Sequence, residues 1–131
     1  MADYGISVKL AIPYEQAREA AIKALKAEGF GVLTEIDVKT TLKKKLDVDF
    51  RKYAILGACN PPLAYHALKT ELEIGLLLPC NLIVYEDEGG SVVSAIAPLV
   101  AMGVVNNPGL ESMAEEVNTK LKRVIDSLNK V

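Results

Sequence analysis

The chain has 131 residues, of which 50% are hydrophobic and 24% charged, a balance that supports a folded core and excludes a disordered coil. Its 15 Lys and Arg stand against 17 Asp and Glu, and the net charge of -2 offers no overall field for nucleic acid phosphates. The most apolar stretch, Ile74 to Val84, contains Pro79 and falls well short of the roughly 20 residues a membrane-spanning helix needs.

In chain order, Ile6-Ser7-Val8-Lys9-Leu10 alternates apolar and polar residues up to Pro13, which predicts a strand with one wet face. From Tyr14 to Glu28, Ala17, Ala20, Ala21, Ala24 and Leu25 recur at helical spacing, with Gly29 placed to end the helix in a left-handed conformation. Phe30 to Ile36 returns to strand character directly after that helix, and such a short connection favours packing beside the first strand. Asp37 caps the next segment, a short basic helix in which Val38, Leu42 and Leu46 are four apart and Lys39, Lys43, Lys44 and Lys45 fill the other faces.

Tyr53 to Ala58 is a continuous apolar run suited to a central strand. Asn60-Pro61-Pro62 then supplies a cap and early-helix prolines for a helix running to about Glu71. Leu82 to Glu86 and Ser91 to Ile96 flank Gly89-Gly90 and read as a hairpin, so antiparallel pairing is expected. Asn107-Pro108 opens the last helix, whose apolar stripe runs through Leu110, Met113, Ala114, Val117, Leu121, Val124, Ile125 and Leu128. Early glutamates and later Lys120, Lys122 and Arg123 suit its dipole. These elements predict one α+β domain over residues 1–131, two-layered, with helices packed on a mixed, largely antiparallel sheet.

The N-terminal segment has no uninterrupted apolar run after a basic start, so no secretory signal is read and a cytoplasmic location is expected. In a reducing compartment the two cysteines are free thiols, a transient redox pair or soft metal ligands before they are a permanent crosslink. Both sit where an apolar run meets a turn, in Gly57-Ala58-Cys59-Asn60-Pro61-Pro62 and Leu78-Pro79-Cys80-Asn81.

Cys59 precedes a helix start, where unpaired N–H groups and the dipole favour a thiolate. Cys80 would be its resolving or second sulfur, with Asn60 and Asn81 as polar supports. The competing reading makes both thiols small core residues, cysteine being among the most often buried types.

His66, the only histidine, would lie within two turns of Cys59 as a base or a third soft ligand, or simply as a surface residue. Three such donors are one short of a structural zinc site. Lys39 and the run Lys43-Lys44-Lys45 could draw an anionic ligand or serve only as a solvated face; without interleaved aromatics they make a poor nucleic-acid platform. Gly89-Gly90 and Gly103 belong to no phosphate-loop pattern. Ala101-Met102-Gly103-Val104-Val105 lines a pocket, covers a partner chain or fills the core as a short helical turn.

The order of Asp37-Val38-Lys39, Leu42-Lys43, Leu56-Gly57-Ala58-Cys59-Asn60-Pro61, Ala64, Leu76-Leu77-Leu78-Pro79-Cys80-Asn81 and Pro98 resembles the bacterial and archaeal family called domain of unknown function 302. The resemblance covers nearly the whole chain, although Ala97 stands where that pattern has a polar residue. It implies a compact α+β fold that tends to pair as a homodimer, and it implies no activity or cofactor.

Two functions therefore stand side by side. One is a thiol-dependent binding or redox domain in which Cys59 and Cys80 act and Asn60, His66, Asn81 and Lys39 contact a ligand. The other is a non-catalytic homodimeric module that binds a small molecule or a partner, its cysteines only packing.

Overall fold

The computed structural model describes residues 3–130. Strand β1 (Gly5–Leu10) leads to helix α1 (Tyr14–Ala27), β2 (Gly31–Asp37), α2 (Val38–Leu46), β3 (Tyr53–Cys59) and α3 (Pro61–Thr70). A 3-10 segment, Leu72–Leu77, precedes the hairpin of β4 (Cys80–Asp87) and β5 (Gly90–Ile96). Helix α4 (Pro98–Met102), a 3-10 turn at Pro108–Leu110 and the long α5 (Glu111–Leu128) complete the chain. The strands form one sheet in the order β1-β5-β4-β3-β2, antiparallel at every junction. This is the expected α+β class.

One expectation changes. β2 does not lie beside β1 but at the opposite edge, paired with β3. The reason is the length of α1: its 14 residues span about 21 Å, close to the roughly 19 Å covered by four strand spacings. The helix therefore carries the chain across the sheet, touching β4 and β5 on the way to β2, and Gly29 at φ +84 ends it as expected. Arg18 on α1 fastens the far edge with two bonds to Glu35 on β2, at 2.6 and 2.5 Å.

Helices α1 and α5 cover one face. Ala17, Ala21 and Leu25 of α1 and Met113, Val117, Leu121, Val124, Ile125 and Leu128 of α5 bury against Val8, Leu10, Leu56, Leu82, Val84 and Val93 of the strands. Strand alternation puts Ile36, Ile55, Ile83, Tyr53, Tyr85 and Ile96 on the other face. There Tyr53 stacks on Tyr85 with ring centroids 5.3 Å apart, and Ser7 and Ser94 share a 2.6 Å hydrogen bond. Among the described residues no helix is long and apolar enough to cross a membrane.

Candidate functional site

The end of β3 and the start of β4 lie side by side, so the two cysteine strings reach one end of the sheet. Gly57 makes this approach possible. A Cβ there would run into the Thr34 hydroxyl from β2 and lie 2.7 Å from Pro79 Cγ, well inside van der Waals contact, so only a residue without a side chain lets the Pro79 ring settle on the strand.

Asn60 ends β3 and starts α3. Its Oδ1 accepts from the Leu63 N–H at 3.4 Å and its carbonyl from the Ala64 N–H at 2.9 Å. Pro61 and Pro62 have no N–H to offer. The first turn of α3 therefore leaves no backbone donor open, two being absent and two engaged.

Cys80 stands across the ladder from Ala58, and Cys59 across from Gly31. Successive strand residues face opposite sides, so the pleat directs the two cysteines to alternate faces. Both are free thiols. Burial, with Cys59 adding in the same sense, pushes the Cys80 thiol up to about 11. It is a protonated, weakly nucleophilic group at neutral pH.

A half-open cavity of about 320 Å³ sits at this end of the molecule, between the sheet and the helices. Phe30 and Leu33 close it from β2, Leu63, Ala64, Ala67 and Leu68 from α3, and Met113, Ala114 and Val117 from α5. Leu78, Pro79 and Cys80 join from β4 and its approach, Pro98 and Met102 from α4, and Ala58, Cys59 and Asn60 from the β3–α3 junction. No Asp, Glu, Lys, Arg or His lines it, and Asn60 carries its one side-chain amide. The volume falls at the lower end of the range typical of small-molecule sites, about 300–1,000 Å³, and the lining is of the usual apolar kind.

A larger cleft of about 610 Å³ lies at the opposite end of the sheet, lined by residues 11–15, 51–52 and 86–90. Four acids line it with two bases: Lys52 pairs with Glu15 at 2.5 Å and Arg51 with Asp87 at 3.6 Å, while Glu86 and Glu88 are in excess. Such exposed pairs contribute little, and the residual charge of the cleft is negative.

Of the residues singled out in the sequence, Cys59, Asn60 and Cys80 meet at the apolar cavity. The others do not. His66 is on an exposed position of α3 and its carbonyl accepts from the Thr70 hydroxyl at 2.9 Å. Asn81 is exposed, and alternation turns it to the uncovered sheet face, where it lines a groove with Tyr4, Tyr53 and Tyr85. Lys39 is exposed on α2 with Nζ donating to the Phe50 carbonyl at 2.9 Å. Among the described residues no group of three or more His, Cys, Asp and Glu is arranged to hold a metal.

Met102 does line the pocket, as one reading of the Ala101–Val105 segment allows. The α5 wall of Met113, Ala114 and Val117 was not visible as such. Its only signal was the small Ala64, Ala67 and Ala114 on helix faces where larger side chains would fill the space.

Comparison with known proteins agrees with the resemblance. The family model described as "Domain of unknown function DUF302" matches residues 6–128, so the chain belongs to the DUF302 family. A solved structure, that of an uncharacterised conserved DUF302 protein from Bacillus stearothermophilus, is 32% identical with a TM-score of 0.88, covering 95% of this chain and 98% of that one. No curated protein matches.

Proposed function

Starting from membership of a family whose name assigns no activity, we propose that this protein is a non-catalytic binding module. A small apolar molecule seats in the cavity beside Asn60 and Cys80, and two copies pair through the uncovered sheet face. The observation that carries this reading is the cavity itself, an uncharged hollow whose walls include the motif residues Cys59, Asn60, Pro79, Cys80 and Pro98. A cavity of this size left unfilled forfeits packing on every side, so an apolar occupant gains both contacts and shelter from water.

The thiol-dependent alternative is weaker on chemical grounds. Cys80 is held protonated, and the first turn of α3 offers no open backbone N–H for an anion at Cys59. Pairing of two chains is supported by Ile36 at 49% and Tyr4 at 63% exposure. With Ile55, Ile83 and Ile96 nearby, they form an apolar surface of the kind that symmetric association buries.

The test is a fluorescence titration with N-phenyl-1-naphthylamine, a neutral apolar probe. Saturable binding is expected, and it should be lost in Ala64→Phe and Ala114→Leu, two variants that fill the cavity from different helices. Absence of saturable binding in the wild type, or undiminished binding in both filled variants when their circular dichroism shows them folded, would overturn the proposal.

A further inference from the structure

Resting on that reading of the cavity, we infer that its ligand is an electrically neutral molecule with a hydrogen-bond acceptor, such as a medium-chain alcohol or ketone, and not a carboxylate, phosphate or alkylammonium ion. Three features lead there.

First, the wall carries no ionisable acid or base apart from its two cysteines. An ion brought into such a hollow loses its water without gaining a counter-charge, at a cost of several kcal/mol. Second, the one element that could have welcomed an anion does not. A helix start commonly binds phosphate or carboxylate through free N–H groups, but at α3 Pro61 and Pro62 have none, the Leu63 N–H is held by Asn60 Oδ1 and the Ala64 N–H by the Asn60 carbonyl. The first turn of α3 therefore has no open backbone N–H for an anion.

Third, the same cap fixes which way Asn60 faces. Because Oδ1 is the acceptor for Leu63, the other arm must be Nδ2, which makes no hydrogen bond among the described residues. One donor group, the Asn60 Nδ2 with its two N–H bonds beside Gly29, is thus left where Asn60 joins an otherwise apolar wall. It asks for an acceptor on the ligand, a hydroxyl or carbonyl oxygen, and leaves the remainder of the molecule to Leu63, Ala67, Met102, Met113 and Val117.

The experiment displaces bound N-phenyl-1-naphthylamine from the full chain at neutral pH with n-decanol, sodium decanoate and n-decylamine, each below its micelle concentration. These share one chain length and differ in charge. Decanol should compete at least about tenfold better than either ion. Asn60→Ala should narrow the preference for decanol over n-decane, and Asn60→Asp, which keeps the cap, should weaken neutral ligands and leave decanoate excluded.

Decanoate or decylamine competing as well as decanol would overturn the ligand class while leaving the cavity as a binding site. Decane and decanol competing equally in wild type would overturn the role of Asn60. Failure of the probe itself to bind removes the binding reading and this inference together.

Discussion

Cys80 lies directly across the β3–β4 ladder from Ala58, which is 2% exposed, and so shares the face of the sheet that the helices cover. Burial there raises the thiol to about 11 from its ordinary value of 9.0. The native state thus holds its proton more tightly than the unfolded chain. The stabilisation is complete below about pH 9 and is lost as pH rises towards about 11. A shift of this size corresponds to on the order of 1–3 kcal/mol at most. Tyr14 and Tyr53, also raised chiefly by burial, act in the same direction, so the informative measurement is a difference. Urea denaturation of Cys80→Ala across this range should show a shallower loss of stability than the wild type. Parallel slopes would mean that Cys80 titrates freely.

Thiol reactivity gives a second measurement from the same burial. Iodoacetamide should modify Cys80 in the native protein at least about tenfold more slowly than in denaturant at neutral pH, because the thiolate fraction is small and access is restricted. Peptide mass spectrometry separates Cys80 from Cys59. Native and denatured rates that agree would return Cys80 to candidacy as a reactive group.

Local signals in the sequence carried the fold far. Asp37 does cap α2 through Thr40 N, Asn60 does cap α3 and Asn107 does cap the turn before α5, each at the predicted place, because a cap is decided by its immediate neighbours. What lay beyond reach depended on distant partners. The edge position of β2 follows from how far α1 travels, and the cavity follows from α5 passing over α3. Nothing near residue 60 in the chain announces that Met113 and Val117 will face it. His66 failed as a partner for the cysteines for the same reason: helical periodicity fixes its face only relative to Ala67, and it was Ala67 that turned inward.

Gly57 should tolerate no side chain. Its missing Cβ is replaced by the Thr34 hydroxyl and, 2.7 Å away, by Pro79 Cγ. Thr34 can rotate aside, but the Pro79 ring is rigid. Gly57→Ala is therefore expected to destabilise by about 1–3 kcal/mol, and adding Thr34→Ser or Thr34→Ala should recover only the smaller share. Complete recovery in the double variant, read by urea denaturation, would show that Pro79 yields and does not set the limit.

Asn60 has two roles that substitution separates. Asn60→Ala removes the Oδ1 acceptor and should cost about 1 kcal/mol, the usual value of an N-cap. Asn60→Asp keeps an acceptor for Leu63 N and places negative charge at a helix start, so its stability should lie within about 0.5 kcal/mol of wild type. If both variants lose the same amount in thermal or urea denaturation, Asn60 stabilises through its packing in the cavity wall and the cap is incidental.

The bidentate pair of Arg18 and Glu35 is the tie between α1 and the edge strand β2. The hydrogen bonds from Arg18 hold the Glu35 carboxyl below its ordinary value of 4.5. A carboxylate shifted down contributes its stability above the unfolded pKa and loses it as pH falls through the lowered one. Both side chains are about a third exposed, so solvent screening limits the contribution to about 1 kcal/mol. Glu35→Gln should lower stability by that amount at neutral pH and differ little from wild type in strong acid. A difference that persists unchanged at low pH would assign the loss to the altered hydrogen bonding of the amide and not to the ion pair.

Pairing of two chains is best tested at the centre of the uncovered sheet face. Ile83 on β4 stands opposite Ile55 and Ser94 in the neighbouring strands, on the central strand of the sheet and far from either edge. A lysine there would disturb no residue of the covered core, since alternation points it away from α1 and α5. In an isolated chain Ile83→Lys should therefore be nearly neutral in stability, the usual outcome for a surface change, within about 0.5 kcal/mol. In a symmetric pair the two new charges would be buried opposite one another without a partner, which is strongly unfavourable. Light scattering at micromolar concentration should thus report twice the 14.1 kDa chain mass for the wild type and a single chain for Ile83→Lys. A wild type that already runs as one chain, or a variant that stays paired, would move the partner contact away from this face.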